Sequence, residues 1–428
     1  MRFMAIAKRI AQRLWFFSSA PVTTRRVGDV FYRRSAGGSD ATELDLSRLQ
    51  RVLIVRLDKI GDAVLSTAFF RELRRNVPRA SITLIVSPAA YPIVAACPYV
   101  DEVQTYDWRP SRYFGPLHHL HALVKARRDL WHRRFELAVV PRWGVDYYLG
   151  SFMAYFSGAP TRVGYSERVI DVKRRLNRGF DSLFTHVSHD SAVRHEVEHN
   201  LDLLRFMGGT VESDALELWV READEEFAVQ TLSAHGVRQD DLLIAVAPGA
   251  GAPKRCWPIE RFVELAAWLS ETYAARVVIL GGPEDAALGH TLGTGVGGTG
   301  IDLVGKATLS QGAAVLRRCR LFIGNDSGPM HLAAAAGASV IAISCHPRAG
   351  SVQHENSPSR FGPWGRHHAV LQPEHAEPPC SNSCSAVEPH CITGVSVDEV
   401  KRVVKSRLLS DAEMTLARTN DVPSPSVQ

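Results

Sequence analysis

The chain has 428 residues, 45% of them hydrophobic and 22% charged, with a formal net charge of +5. That length exceeds one ordinary core and suits two domains of roughly 150–200 residues. The mild charge excludes a polyelectrolyte, no nucleic-acid partner is expected, and the seven scattered cysteines do not form a secreted disulfide framework.

The chain opens on a basic leader. Residues 1–35 hold eight Lys or Arg against the single acid Asp29, and "LWFF" (Leu14 to Phe17) lies among them. That apolar run is far below the ~20 residues a bilayer span needs. A basic segment with Trp and Phe suits peripheral contact with an anionic membrane surface, and equally a solvated, partly disordered leader. No secretory signal is recognisable. The expected location is the cytoplasm, with peripheral contact at the inner face of the inner membrane as the finer reading.

From residue 49 strands alternate with helices. "RVLIVRL" (51–57) reads as a buried parallel strand, followed by a helix over 62–76 with Val64, Leu65, Ala68, Phe69 and Leu73 inward. "SITLIVSP" (81–88) and "FELAVVPRW" (135–143) are further strands, and residues 91–107 give a helix and a strand. The basic stretch 109–134 has Leu117, Leu120, Val124 and Trp131 at helical spacing. It reads as a surface helix with a solvated cationic face, or as a wall for an anionic substrate. The alternation breaks over 205–241, which places a domain boundary near 220. A second series follows, with strands at 242–249, 275–282, 301–306, 319–326 and 338–345 and a terminal helix opened by Ser396 and Glu399. The expected fold class is α/β, two Rossmann-like domains in series over 49–220 and 221–409, between a leader (1–48) and a disordered tail (410–428).

Open α/β sheets bind ligands beyond the carboxyl ends of their strands, so residues there carry the functional argument. In "LFIGNDSGPMHLAAAAG" (321–337) a strand ends at Gly324. Asn325, Asp326 and Ser327 can cap a helix opened by Gly328 and Pro329. Its first turn is either an ordinary capped start or a phosphate site. "APGAGAPKRCWPIERF" (247–262) sets Lys254 and Arg255 on a glycine-rich loop, suited to a pyrophosphate or simply solvated. "VVILGGPEDAAL" sets Glu284 where a carboxylate could accept from ribose hydroxyls or favour a helix start. "GTGVGG" (Gly293 to Gly298) fits a dinucleotide fingerprint by letter, but it does not lie between strand and helix and reads as a loop. Cys380, Cys384, His390 and Cys391 form C-x3-C-x5-H-C. That is not a standard zinc spacing, and adjacent His and Cys rarely share an ion, so no metal is expected. In "RLDKIGDAVL", Asp62 at the strand-to-helix turn is either a helix cap or a general base facing an acceptor.

Taken together, "RLDKIGDAVLSTAFFREL", "APGAGAPKRCWPIERF", "VVILGGPEDAAL", "FIGNDSGPMHLAAAAG" and "RFGPWG" (360–365) occur in an order that resembles glycosyltransferase family 9, the ADP-heptose:lipopolysaccharide heptosyltransferases and their relatives. The resemblance spans about residues 51–400. It implies a GT-B architecture and inverting, metal-independent transfer from a nucleotide-diphosphate sugar, without a cofactor, to an anionic glycolipid acceptor. It implies Asp62 as catalytic base, Gly61 as a donor-binding residue, and Lys254 both catalytic and steadying the donor phosphates. It also implies Glu284 at the nucleoside, and Asp326, Ser327, Gly328 and His331 at the pyrophosphate. The chain departs from the family where Ala68 and Phe69 stand in a helix that often carries proline. Two other readings stay open: a nucleotide-sugar epimerase or hydrolase on the same scaffold, and a non-catalytic nucleotide-sugar-binding protein.

Overall fold

The computed structural model describes residues 44–109, 119–297 and 300–420. Most of the basic leader, residues 110–118 of the basic stretch, Gly298 and the last eight residues lie outside the described residues. The chain divides into two compact units. The first ends at Trp219 and takes in Ser359–Phe361, and the second runs Val220–Pro358 and resumes at Gly362.

The first unit holds six parallel strands: β1 (Arg51–Arg56), β2 (Ser81–Val86), β3 (Glu102–Thr105), β4 (Leu137–Val140), β5 (Thr161–Tyr165) and β6 (His186–Ser188). The second holds β7 (Leu243–Ala247), β8 (Arg276–Ile279), β9 (Ile301–Asp302), β10 (Leu321–Asn325), β11 (Ser339–Ile343) and β12 (His368–Leu371). The sheet orders are β3-β2-β1-β4-β5-β6 and β12-β11-β10-β7-β8-β9. In each, the chain winds outward from one central strand and then restarts on its other side. The restart opens a crevice at the strand carboxyl ends, between β1 and β4 in one sheet and between β7 and β10 in the other. β1, β4, β7 and β10 are buried nearly throughout, as strands covered on both faces must be.

The strands missing from the sequence reading are β5, β6 and β12. β6 has three residues and β12 only partial burial, so neither shows the long apolar run of a central strand. β5 carries a glycine, Gly164, whose bare Cα admits the Phe184 ring; a Cβ there would lie 2.6 Å from it. Three other expectations need correction. The helix over 62–76 is two helices, Ile60–Val64 and Thr67–Asn76. At the break Ser66 Oγ donates to the Asp62 carbonyl at 2.8 Å and Thr67 Oγ1 to the Val64 carbonyl at 2.8 Å. Hydroxyls that capture carbonyls in this way interrupt a helix ladder. In the basic stretch the helix is His119–Asp129, and it buries His119, Ala122 and Ala126 while Val124 is exposed. The terminal helix Val397–Asn420 runs well past 409, because no Gly or Pro interrupts the sequence before Pro423. No helix among the described residues is long and apolar enough to cross a membrane.

Candidate active site

The β1–β4 crevice collects charge. Asp62 is the third residue of the helix Ile60–Val64, just after Gly61, and its Oδ2 accepts from the Lys59 backbone N–H at 3.3 Å. Its other oxygen, Oδ1, lies 2.8 Å from Arg142 Nη1 and 3.4 Å from Arg56 Nη2. The cap is therefore real, and it uses one oxygen only. Arg142 follows β4 as Asp62 follows β1, so this ion pair straddles the crevice.

Asp62 is not a lone carboxylate. Asp58 sits beside it, 3.0 Å from Arg56 Nε and 3.4 Å from Arg142 Nη1. Burial pushes the Asp58 carboxyl up to about 6, against the pull of Arg142 and Arg56 and with the push of Asp62. Burial would lower Arg142, but Asp58 and Asp62 outweigh it and hold its guanidinium firmly charged. The Asp62 side chain is 14% exposed and that of Asp58 5%, so Asp62 is the carboxylate nearer to solvent.

Behind this pair lies a second layer. Lys173 Nζ donates to the carbonyls of Arg142, Trp143 and Tyr165 at 3.1, 3.0 and 3.1 Å, which pins the loop that carries Arg142. Burial pulls the Lys173 ammonium down to about 7, yet three carbonyls use three N–H donors, which only the charged form supplies. Arg360, from the short return segment, is ion-paired with the fully buried Glu196, and its guanidinium lies 4.7 Å from the Trp143 ring centre. Burial alone would raise the Glu196 carboxyl; Arg360 and Arg142 outweigh it and hold it down at about 2. A Cβ at Gly144 would lie 2.9 Å from Arg360 Nη2, so the bare glycine leaves the guanidinium room there.

The β7–β10 crevice gathers the other predicted residues. Asn325, the last residue of β10, donates to the Pro248 carbonyl at 2.7 Å and accepts from the Trp257 N–H at 2.9 Å. One amide thus ties both ends of the glycine-rich loop after β7 to the end of β10. Ser327 is the N-cap of the helix Gly328–Ala336, which ends on Gly337 at φ +91°. Ser327 Oγ turns back to the Asn325 carbonyl at 3.2 Å, so the hydroxyl does not cap the first-turn N–H groups. Burial pushes the Asp326 carboxyl up, against the pull of Arg255, whose Nη2 lies 3.3 Å from it. His331 is buried in the helix's first turns.

Lys254 differs from Arg255. Its Nζ donates to the Cys384 carbonyl at 2.9 Å, and among the described residues no carboxylate neutralises it. Glu284 is exposed on the short turn Pro283–Asp285 after β8. Its neighbour Asp285 leans towards the loop after β7, where a Cβ on Gly249 would lie 2.2 Å from its carboxylate. The "GTGVGG" glycines Gly293 and Gly295 end the helix Ala286–Gly295, so the sequence runs from helix to strand, the reverse of a dinucleotide fingerprint.

The structure thus brings Gly61 and Asp62 to one crevice, and Lys254, Asp326, Ser327, Gly328 and His331 to the other, with Glu284 one strand away. The residues that sequence reasoning missed are Asp58, Arg142, Glu196 and Arg360. Asp58 and Arg360 lie inside "RLDKIGDAVL" and "RFGPWG" but were given no role, and "PRW", a cation and an indole at a strand end, was the local signal for Arg142.

Known proteins share this fold. Lipopolysaccharide heptosyltransferase 2 of Escherichia coli K12 is 24% identical over 312 residues, 68% of this chain and 82% of that protein. A solved glycosyltransferase family 9 protein from Veillonella parvula has a TM-score of 0.70 at 23% identity, covering 87% of this chain and all of that one. The Escherichia coli ADP-heptose lipopolysaccharide heptosyltransferase II structure has a TM-score of 0.62 at 19% identity, covering 85% of this chain and 100% of that one. The fold is thus the α/β, two-unit GT-B fold. The description of glycosyltransferase family 9 (heptosyltransferase) matches residues 147–389, more than half of the chain and the whole of the β7–β10 crevice, so the chain belongs to glycosyltransferase family 9 and is a glycosyltransferase.

Proposed function

We propose that the protein is an inverting glycosyltransferase that moves a heptose from ADP-heptose to a lipopolysaccharide-core or related anionic glycolipid, without a metal in the chemical step. The observation that carries this reading is the contrast between the two crevices. One presents a partly exposed carboxylate, Asp62, and the other a cation, Lys254, that no carboxylate among the described residues neutralises, beside a helix N-terminus.

The chemistry follows from those groups. The acceptor hydroxyl attacks the anomeric carbon opposite the leaving nucleotide, and Asp62 takes its proton. Negative charge builds on the departing diphosphate. Lys254 and the positive end of the helix that opens at Gly328 stabilise that charge, and Arg255 holds Asp326 aside from it. Glu284 accepts from the nucleoside's hydroxyls. Gly61 keeps the approach to Asp62 free of a side chain.

The deciding experiment supplies ADP-heptose and a heptose-deficient core glycolipid, without Mg²⁺ or Mn²⁺ and with EDTA present only during the brief assay. Transfer at an undiminished rate, with the anomeric configuration inverted, is expected. Retention of configuration, or a strict need for added Mg²⁺, defeats the proposal. Loss of donor without acceptor would favour an epimerase or hydrolase instead.

Lys254 has its own expected result. Lys254→Ala should lower kcat by ~10²-fold, the usual effect of removing one contact to developing charge. ADP should also raise Tm less in the variant than in the wild type. Unchanged turnover would remove Lys254 from the donor site.

A further inference from the structure

The cysteine cluster set aside in the sequence reading comes together in space. One ligand atom from each of Cys380, Cys384, His390 and Cys391 lies within 4.8 Å of every other. None of the thiols is in a disulfide. His390 Nδ1 is 3.7 Å from Cys380 Sγ and 3.4 Å from Cys391 Sγ. A tetrahedral zinc ion, with Zn–S of ~2.3 Å and Zn–N of ~2.0 Å, sets its ligand atoms roughly 3.5–3.8 Å apart. The cage is close to that size.

The objection from adjacency is answered by the backbone. His390 has φ −138° and ψ −90°, outside both helix and strand. That turn brings the imidazole and the neighbouring Cys391 thiol to one side. Cys384 and Cys391 are buried within the core of the second unit, while Cys380 and His390 are half-buried. The Ser385 N–H donates to Cys380 Sγ at 3.3 Å, the type of backbone contact that supports a metal-bound thiolate. Three thiols and an imidazole gathered this tightly have little to offer one another as neutral groups, because S–H is a weak donor and sulfur a weak acceptor.

We propose that Cys380, Cys384, His390 and Cys391 bind one Zn²⁺ in a closed Cys₃His site. Four protein ligands leave no open position, so the ion has a structural role. Binding releases the thiol protons to solvent, and no redox step is involved. The site braces the loop after β7. The Cys384 carbonyl accepts from Lys254 Nζ at 2.9 Å. Just after Cys391, the Val395 carbonyl accepts from Trp257 Nε1 at 2.8 Å and from Arg261 Nη1 at 2.7 Å. Both ends of the clamped segment therefore hold the stretch that carries Lys254. This link to the donor site rests on the proposed function, whereas the presence of the ion does not.

The test uses the full chain, without a histidine tag, expressed in zinc-supplemented medium and purified under mild reduction. Elemental analysis should find close to one zinc per chain. Exchange into Co²⁺ should give the intense visible bands of a tetrahedral thiolate complex. Cys380→Ser and His390→Ala should each lose most of the metal and weaken those bands, and circular dichroism checks that they fold. Prolonged incubation with a strong chelator should lower Tm by several degrees, and Zn²⁺ should restore it. Metal-free protein with no cobalt spectrum would overturn the site. Stoichiometric iron in place of zinc would overturn the assignment of the ion. Full metal content in both variants would overturn the ligand set. None of these readouts depends on transfer activity, so failure here leaves the glycosyltransferase reading intact, and the reverse holds too.

Discussion

Asp62→Asn is expected to abolish most transfer, lowering kcat by ~10³-fold, within the range that loss of a positioned general base produces. The amide keeps the shape of the carboxylate, and its one oxygen can still accept from the Lys59 N–H, while Arg142 keeps Asp58 as its partner. The helix start and the ion pair of Arg142 with Asp58 should therefore survive. On the proposed function the donor binds the other unit, so ADP should raise Tm as much in the variant as in the wild type. Normal turnover by the variant would end the assignment. Asp58 is the necessary control, because burial pushes its carboxyl up to about 6, nearer to neutrality than an ordinary carboxylate. It is the more buried of the two, and Arg56 and Arg142 engage both of its oxygens. Asp58→Asn should lose stability but keep transfer within ~10-fold of wild type, well short of the loss of a general base. If Asp58→Asn is the dead variant and Asp62→Asn the active one, the base is Asp58.

The second large effect is on stability. Arg360→Met keeps a stem of similar length but leaves Glu196 fully buried without its main counter-charge. Breaking a buried ion pair from one side costs about 3–5 kcal/mol. For a unit of this size that corresponds to a fall in Tm of roughly 10 °C. The pH dependence has a definite sign. Glu196 is held below the ordinary glutamate value of 4.5, at about 2, so its contribution is fully present above pH 4.5 and is lost as pH falls towards 2. In the variant the carboxyl can protonate more readily, so the gap between wild type and variant should be widest near neutrality and narrow on acidification. Urea unfolding at pH 7 and pH 4 measures this. A gap that is constant across that range would mean that Arg360 acts through its packing on Trp143 rather than through charge.

How legible the site was in the sequence depended on where each residue sits. Asp62, Lys254 and Asp326 follow apolar runs that can only be buried strands, and the winding of an α/β sheet sends the ends of such strands to a crevice. Position along the chain was enough to place them. Arg142 also follows such a strand, but a single arginine carries no periodicity. Glu196 and Arg360 are 164 residues apart, and no local pattern announces a pair that only tertiary packing makes. The edge strands β6 and β12 were hidden by their shortness and partial burial. The helix break at Ser66 was hidden because apolar spacing continues across it, while the hydroxyl contacts that cause it appear only in three dimensions. The convergence of the cysteine cluster was hidden by its spacing, since one backbone turn at His390 brings the adjacent side chains together.

The return of Ser359–Phe361 to the first unit bears on how this enzyme can be re-engineered. The chain is not a pair of cassettes joined by one hinge peptide. A fragment stopped at Trp219 would keep an anionic side chain in its interior and lack the guanidinium that makes it tolerable. A chimera that borrows the second unit from a relative would import that relative's residue at position 360. Swaps of that unit should therefore keep this tripeptide with the first unit, or they will report a folding defect as a change of function.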